Sequence, residues 1–379
     1  MNERQRFAAT MHYQPRDRAP LCDFGFWAET IIEWHKQGLP GNVRYDNYDG
    51  LHTDTYFGMD RFSAGPTANP GLCPAFEFLK IEDRGDHEVV QQSDGVRVLR
   101  KKYMSSIPHH ESHLLTDRES WEKHYKPRLD PDNPDRLPQI WREAARIWTD
   151  PNRDYPVNLW CGSLFGWLRD WMGLENIALT VYDDPAFFEE MVTSLADCSI
   201  ATLTRLLSTG GHFDCANFWE DMCYNAGPLL SPTHFKRYLV PHYKRITSLL
   251  RSHGVDVIYL DCDGNIEQLM PLWLDAGVNC MFPIEIGTWG ADPIKYRHQY
   301  GKNLLMIGGV DKHILARTPR DIEKEVHRLA PLVEEGGFIP TPDHRVPPDV
   351  PYTNYLHYVK TARQIWGKDT NLKPAPALS

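Results

Sequence analysis

Through the second half of the chain, short and largely apolar runs alternate with longer stretches whose apolar positions recur at helical spacing. The runs lie at 157–160, 213–219, 257–260, 279–284, 303–307 and 338–341. Between them, Asp184-Pro185, Ser231-Pro232, Asp292-Pro293 and Thr318-Pro319 each place a capping side chain before a proline, and Gly254, Gly277, Gly301 and Gly336-Gly337 stand at the far ends. A capping residue followed by proline opens a helix, and glycine closes one. Helices are therefore expected over 184–208, 231–254, 265–276, 292–301 and 318–336, with a last one over 352–366. Such alternation implies a parallel sheet. Weaker runs at 20–23 and 61–65 bring the strands to eight, which predicts an α/β fold, a closed (β/α)8 TIM barrel. An open, doubly wound sheet is the alternative, but no glycine-rich dinucleotide fingerprint follows any strand.

Ahead of this regular region, a short helix and turn over 1–19 form an N-terminal extension, and a helix is expected over 26–38. Around Asp94-Gly95 the pattern changes to an antiparallel hairpin, an insertion at about 86–104. A loop at 130–138 precedes a helix over 139–149. The whole of 1–379 reads as a single barrel domain.

Composition narrows the classes. Hydrophobic residues make up 41% of the 379, enough for a large core, and the net charge of −10 argues against nucleic acid and anionic membranes as partners. The start is polar and no run is long enough to span a bilayer, so neither a signal peptide nor a membrane anchor is expected. Eight cysteines without a CxxC pair fit reduced, buried side chains and a cytoplasmic location.

Candidate chemistry gathers where the strands end. In Leu260-Asp261-Cys262-Asp263-Gly264, the two aspartates share a face of an extended chain and Cys262 points away from them. In a barrel, strand ends converge on one rim. There this sequence supplies Asp23, Glu220 with Asp221, Asp261 with Asp263, Glu285, Asp311, and Asp343 with His344. Any one of them could simply cap the next helix. Taken together they suit a divalent cation, zinc on Asp261, Asp263 and His344, with Glu285 or Asp221 as a further ligand. The metal-free reading is a carboxylate pair tuned for proton transfer, with Glu220 and Asp221 beside Asp261 and Asp263 as catalytic groups. Phe24, Trp27, Trp160 and Trp219, with Trp167 and Trp171, predict an aromatic pocket wall, and Asp23, Glu285, Asp311 and Asp343 are expected to contact substrate. His109, His110 and His113 lack the spacing of ligands on a helix.

The opening Arg4-Gln5-Arg6-Phe7 with Arg16-Asp17-Arg18, then Trp219-Glu220-Asp221-Met222, Gly308-Gly309-Val310-Asp311 and Gly336-Gly337-Phe338-Ile339-Pro340, resemble the uroporphyrinogen decarboxylase superfamily, which includes cobamide-dependent methyltransferases. The resemblance runs over nearly the whole chain and implies the same barrel. Thiol-acting members carry a His-x-Cys-Gly motif where this chain has Asp261-Cys262-Asp263-Gly264. They carry a cysteine loop where it has Asp343-His344-Arg345. By position, Asp261, Asp263 and His344 match the family's zinc ligands, with oxygen in place of sulfur. The decarboxylases carry an Arg-rich segment where this chain reads Asp23-Phe24-Gly25-Phe26-Trp27.

The resemblance therefore implies a corrinoid-dependent methyltransferase that takes the methyl group of an O-methyl substrate, an aryl methyl ether. The acceptor is a corrinoid on a partner protein, and barrels of this kind often form homodimers. The alternatives are a cofactor-free decarboxylase and a non-enzymatic ligand-binding barrel.

Overall fold

The computed structural model describes residues 1–44, 51–61, 65, 68–102, 107–137 and 140–367. The chain divides into two compact units. One is Met1–Ala64 with Asn152–Val157 and Asn279–Ser379; the other is Gly65–Pro151 with Asn158–Val278.

In the first unit, the strands Cys280–Ile284, Leu305–Val310 and Phe338–Pro342 run parallel, in register from Met306 opposite Phe338 to Val310 opposite Pro342. The middle strand is buried along its whole length, hence its unbroken apolar run. Gly308 has φ +115°, and a Cβ there would lie 2.6 Å from the main-chain nitrogen of Ile284. The helices Pro293–Tyr300 and Pro319–Glu335 begin where the capping residues predict. Asp292 accepts from the Ile294 N–H (2.9 Å) and Thr318 from the Asp321 N–H (3.3 Å).

The opening motif is structural. Buried Arg6 donates to Asp17 (2.9 Å) and Asp60 (3.0 Å), and Arg18 donates to Asp60 as well. Asp60 also accepts from the Leu21 N–H (2.9 Å). Among the described residues the expected strand at 20–23 joins no ladder. The Leu21 carbonyl accepts from the Asp60 N–H (2.7 Å), and just before the segment the Trp366 carbonyl accepts from the Ala19 N–H (3.2 Å). Nearby, Phe26 makes an isolated parallel bridge to Val346. Of the run at 61–65, positions 62–64 lie outside the described residues.

In the second unit, Asn158–Trp160, Cys215–Trp219 and Ile258–Asp261 form a parallel ladder. Asp184 caps the helix Pro185–Leu207 through the Phe187 N–H (3.0 Å). The helix expected over 231–254 is divided by a wide turn, Phe235–Leu239, ahead of Val240–Ser252. Pro241 has no N–H for the carbonyl four residues back, so the ladder must adjust there. The helix expected over 265–276 shrinks to Met270–Asp275.

The hairpin at Asp94-Gly95 forms, with Val90 opposite Val98. It is the inner pair of a four-stranded antiparallel sheet that also includes Leu79–Arg84 and His109–Ser112. Leu79–Arg84 is exposed at every position, and its alternation, Leu79-Lys80-Ile81-Glu82, is too short to set it apart in the sequence. Among the described residues, no helix is long and apolar enough to cross a membrane.

Candidate active site

The pairing of Cys215–Trp219 with Ile258–Asp261 sets the site. Trp219 lies opposite Asp261 in register, and the Glu220 N–H donates to the Asp261 carbonyl at 2.9 Å. The two acid-bearing segments thus leave neighbouring strands side by side. Burial alternates as the strand period requires: Leu260 and Cys262 are buried, and Asp261 and Asp263 are half-exposed. Asp221 then turns back with φ +38°, a left-handed conformation rare for a residue with a Cβ. Its Oδ1 accepts from the Asp263 N–H at 3.2 Å. Gly264, with φ +86°, lets the following loop cross Cys223-Tyr224; a Cβ there would lie 2.5 Å from the Cys223 carbonyl oxygen.

These turns gather Asp221, Asp261 and Asp263, each offering a carboxylate oxygen within 4.8 Å of the others. Burial, and then the charge of Asp263, pushes the Asp221 carboxyl up to about 7, against the smaller opposing pull of the Asp263 N–H and Arg169. Three carboxylates at this spacing hold either a proton or a cation near neutral pH. An all-oxygen donor set fits a divalent cation. Magnesium, manganese and calcium suit it best, and zinc also accepts carboxylate oxygen. Cys262 is buried, its Sγ accepts from the Met222 N–H (3.4 Å), and burial raises its thiol well above the ordinary range.

Glu220 belongs to a separate and fully buried network. It accepts from the Ser163 hydroxyl (3.0 Å), the N–H groups of Leu164 (2.9 Å), Phe165 (2.8 Å) and Gly166 (3.0 Å), and the Tyr243 hydroxyl (2.6 Å). Burial raises its pKa while these donors lower it. The side chain ties the 163–166 turn to the end of the strand.

A cavity of about 430 Å³ in the same unit is lined by Trp160, Trp167, Trp171 and Trp219 together with Asp94 and Asp170. Arg169 links it to the carboxylates. Its guanidinium lies 5.6 Å from the Trp219 ring centroid, bonds Asp170 (2.8 Å) and donates to the Asp221 carbonyl oxygen. Asp170 had a legible signal, since Trp167, Asp170 and Trp171 fall at i, i+3 and i+4 of one helix, Gly166–Met172. Asp94 reads in the sequence only as a turn residue.

The other predicted residues lie in the first unit. Asp23 accepts from the Tyr355 hydroxyl, and burial pushes its carboxyl up to about 7. Phe24 packs on Phe282 (4.8 Å between centroids) and on His344 (4.9 Å), and Trp27 lies 6.0 Å from His344. Buried Glu285 accepts from the Thr288 hydroxyl at 2.8 Å. Asp311 caps the turn Lys312–Leu315 through the His313 N–H (2.9 Å). Buried Asp343 joins two loops, accepting from the N–H groups of Gly287 (2.8 Å) and Lys312 (3.0 Å).

A family model described as Uroporphyrinogen decarboxylase (URO-D) matches residues 92–365. The chain is 24% identical over 157 residues to a uroporphyrinogen decarboxylase of Nocardia farcinica (strain IFM 10152), covering 41% of each protein. It is 23% identical over 202 residues to one of Syntrophotalea carbinolica (strain DSM 2380 / NBRC 103641 / GraBd1), covering 52% of this chain and 53% of that one. The chain thus spans about half or less of the length of the curated relatives it matches. Among solved structures, a methyltransferase from Methanosarcina mazei superposes with a TM-score of 0.61 at 14% identity, over 96% of this chain and 99% of that one. The shared fold is α/β, a (β/α)8 TIM barrel.

Proposed function

The chain belongs to the uroporphyrinogen decarboxylase family, and on that premise we propose that it is a methyltransferase. In this reading it moves the methyl group of an O-methyl substrate, an aryl methyl ether, to a reduced corrinoid carried by a partner protein. One observation carries the reading: Asp221, Asp261 and Asp263 share a site in which Asp221 is held near pKa 7. When a nucleophile displaces a methyl group from an ether, the electron pair stays on oxygen. The departing phenolate needs a proton or a Lewis acid. Asp221 keeps its proton near neutrality and is the general acid. Burial and the charge of Asp263 hold the proton there, against the weaker pull of the Asp263 N–H, which favours the carboxylate. A divalent cation on the three carboxylates would polarise the same oxygen. All eight cysteines are buried, which makes the chain's own thiols poor methyl acceptors and supports an acceptor outside the chain. Trp160 and Trp219 give the organic part of the substrate an apolar wall.

Cofactor-free decarboxylation is the second reading, favoured by the family match and the names of the curated relatives. The same Asp221 proton would quench the carbanion left by carbon dioxide. The test is anaerobic incubation with reduced cobalamin and methoxylated aromatics. Methylated cobalamin is expected, and Asp221→Asn should slow its formation by at least about 100-fold. No methyl transfer from any donor would refute the reading, and carbon dioxide release without cobalamin would establish the second one.

A further inference from the structure

The tryptophan cavity has a chemistry that the methyl-transfer reading does not use. Four indoles line it, and two of its polar groups are carboxylates, Asp94 and Asp170. Among the described lining residues there is no lysine, arginine or histidine. Arg169 matches Asp170, both of its bonds ending on Oδ1 (3.1 and 2.8 Å). Asp94 is the second carboxyl, its pKa raised by burial against the smaller lowering by the Val96 N–H. It is held in place by the hairpin turn, where its Oδ1 accepts from the Val96 N–H (2.9 Å) and its carbonyl accepts from the Tyr125 hydroxyl (2.9 Å).

The rings are equally fixed. Trp167 stacks on Trp171 at 5.9 Å and 11°, and Trp160 lies 6.4 Å from Trp167. Gly71 and Gly162 press on the same indole: a Cβ would come within 3.0 Å of Trp167 at the first and 2.7 Å at the second. An indole face attracts a cation through its quadrupole. Rigid aromatic faces beside a carboxylate select a diffuse positive charge over a neutral group of the same shape.

We propose that this cavity binds an organic ammonium group, quaternary or protonated, on a small molecule. Its volume of about 430 Å³ falls in the range of small-molecule pockets, roughly 300–1,000 Å³. The proposal concerns recognition alone, so it stands or falls independently of the reaction.

The test is calorimetric titration of the full chain with choline and with its uncharged isostere 3,3-dimethylbutan-1-ol. Choline is expected to bind at least about tenfold more tightly. Asp94→Asn should remove most of that difference while leaving the affinity for the alcohol in place, and Trp167→Ala should weaken both ligands. Equal affinity of the wild-type protein for the two probes would overturn the proposal, and so would binding of the alcohol without choline. Because that comparison uses the unaltered protein, a misfolded variant does not blunt it. Loss of methyl transfer with the preference for choline intact would refute the reaction and leave the cation site standing.

Discussion

Asp221 and Asp23 are both held near pKa 7, with opposite uses. In the carboxylate group, burial and the charge of Asp263 raise Asp221, and the proton is shared by interacting groups. If Asp221 is the acid for the departing oxygen, the rate should fall about tenfold per pH unit above pH 7, and Asp221→Asn should flatten that limb. A pH–rate profile at saturating donor checks this. Asp23 sits on the Tyr355 hydroxyl in a buried setting, where burial is the larger influence and the hydrogen bond the smaller. Its folded pKa is raised, so the native state binds the proton more tightly than the unfolded state. The stability it confers is present at acid pH and is lost as pH rises from about 4 to about 7. The total is of the order of 4 kcal/mol at most. Asp23→Asn should therefore narrow the difference between urea midpoints measured at pH 5 and pH 8.

The elements around the site are held by bonds that a sequence does not display. The strand Ile258–Asp261 and the shared direction of Asp261 and Asp263 follow from period-2 alternation and are plain in the chain. The sense of Glu220 and Asp221 is not. Glu220 finds its donors in the 163–166 turn, more than fifty residues away, and Asp221 joins the group only because its backbone reverses at φ +38°. Glu220→Ala would leave three buried N–H groups without an acceptor and should cost at least about 3 kcal/mol, while Glu220→Gln should cost less. Thermal denaturation of the pair separates a structural clip from a catalytic acid. Gly264→Ala adds strain at φ +86° and a clash with the Cys223 carbonyl, and should lose about 1–3 kcal/mol with displacement of Asp263. The same melts report the loss, and divalent-ion affinity reports the displacement.

At the scale of the molecule, alternation of strand and helix was enough for the fold class, and the capping prolines located most helix starts. What escaped was set by partners rather than by pattern. In the 20–23 segment Leu21 gives its main-chain groups to Asp60, and Leu79–Arg84 is a strand exposed at every position. The all-oxygen group makes its own forecast. Manganese(II), followed by paramagnetic resonance, should bind one ion per chain, more weakly as pH falls below 7 and protons compete, and hardly at all in Asp261→Asn with Asp263→Asn. One further consequence lies in how Asp94 is carried. It rides on the turn of an antiparallel sheet, whereas the three carboxylates sit at or just past the ends of two parallel strands. Asp94 is thus carried on a different stretch of chain from the three carboxylates, although Trp219 of the same cavity adjoins them. Randomising 92–96 should change which molecules are accepted without disturbing the chemistry, and a library aimed at new substrates belongs in that turn.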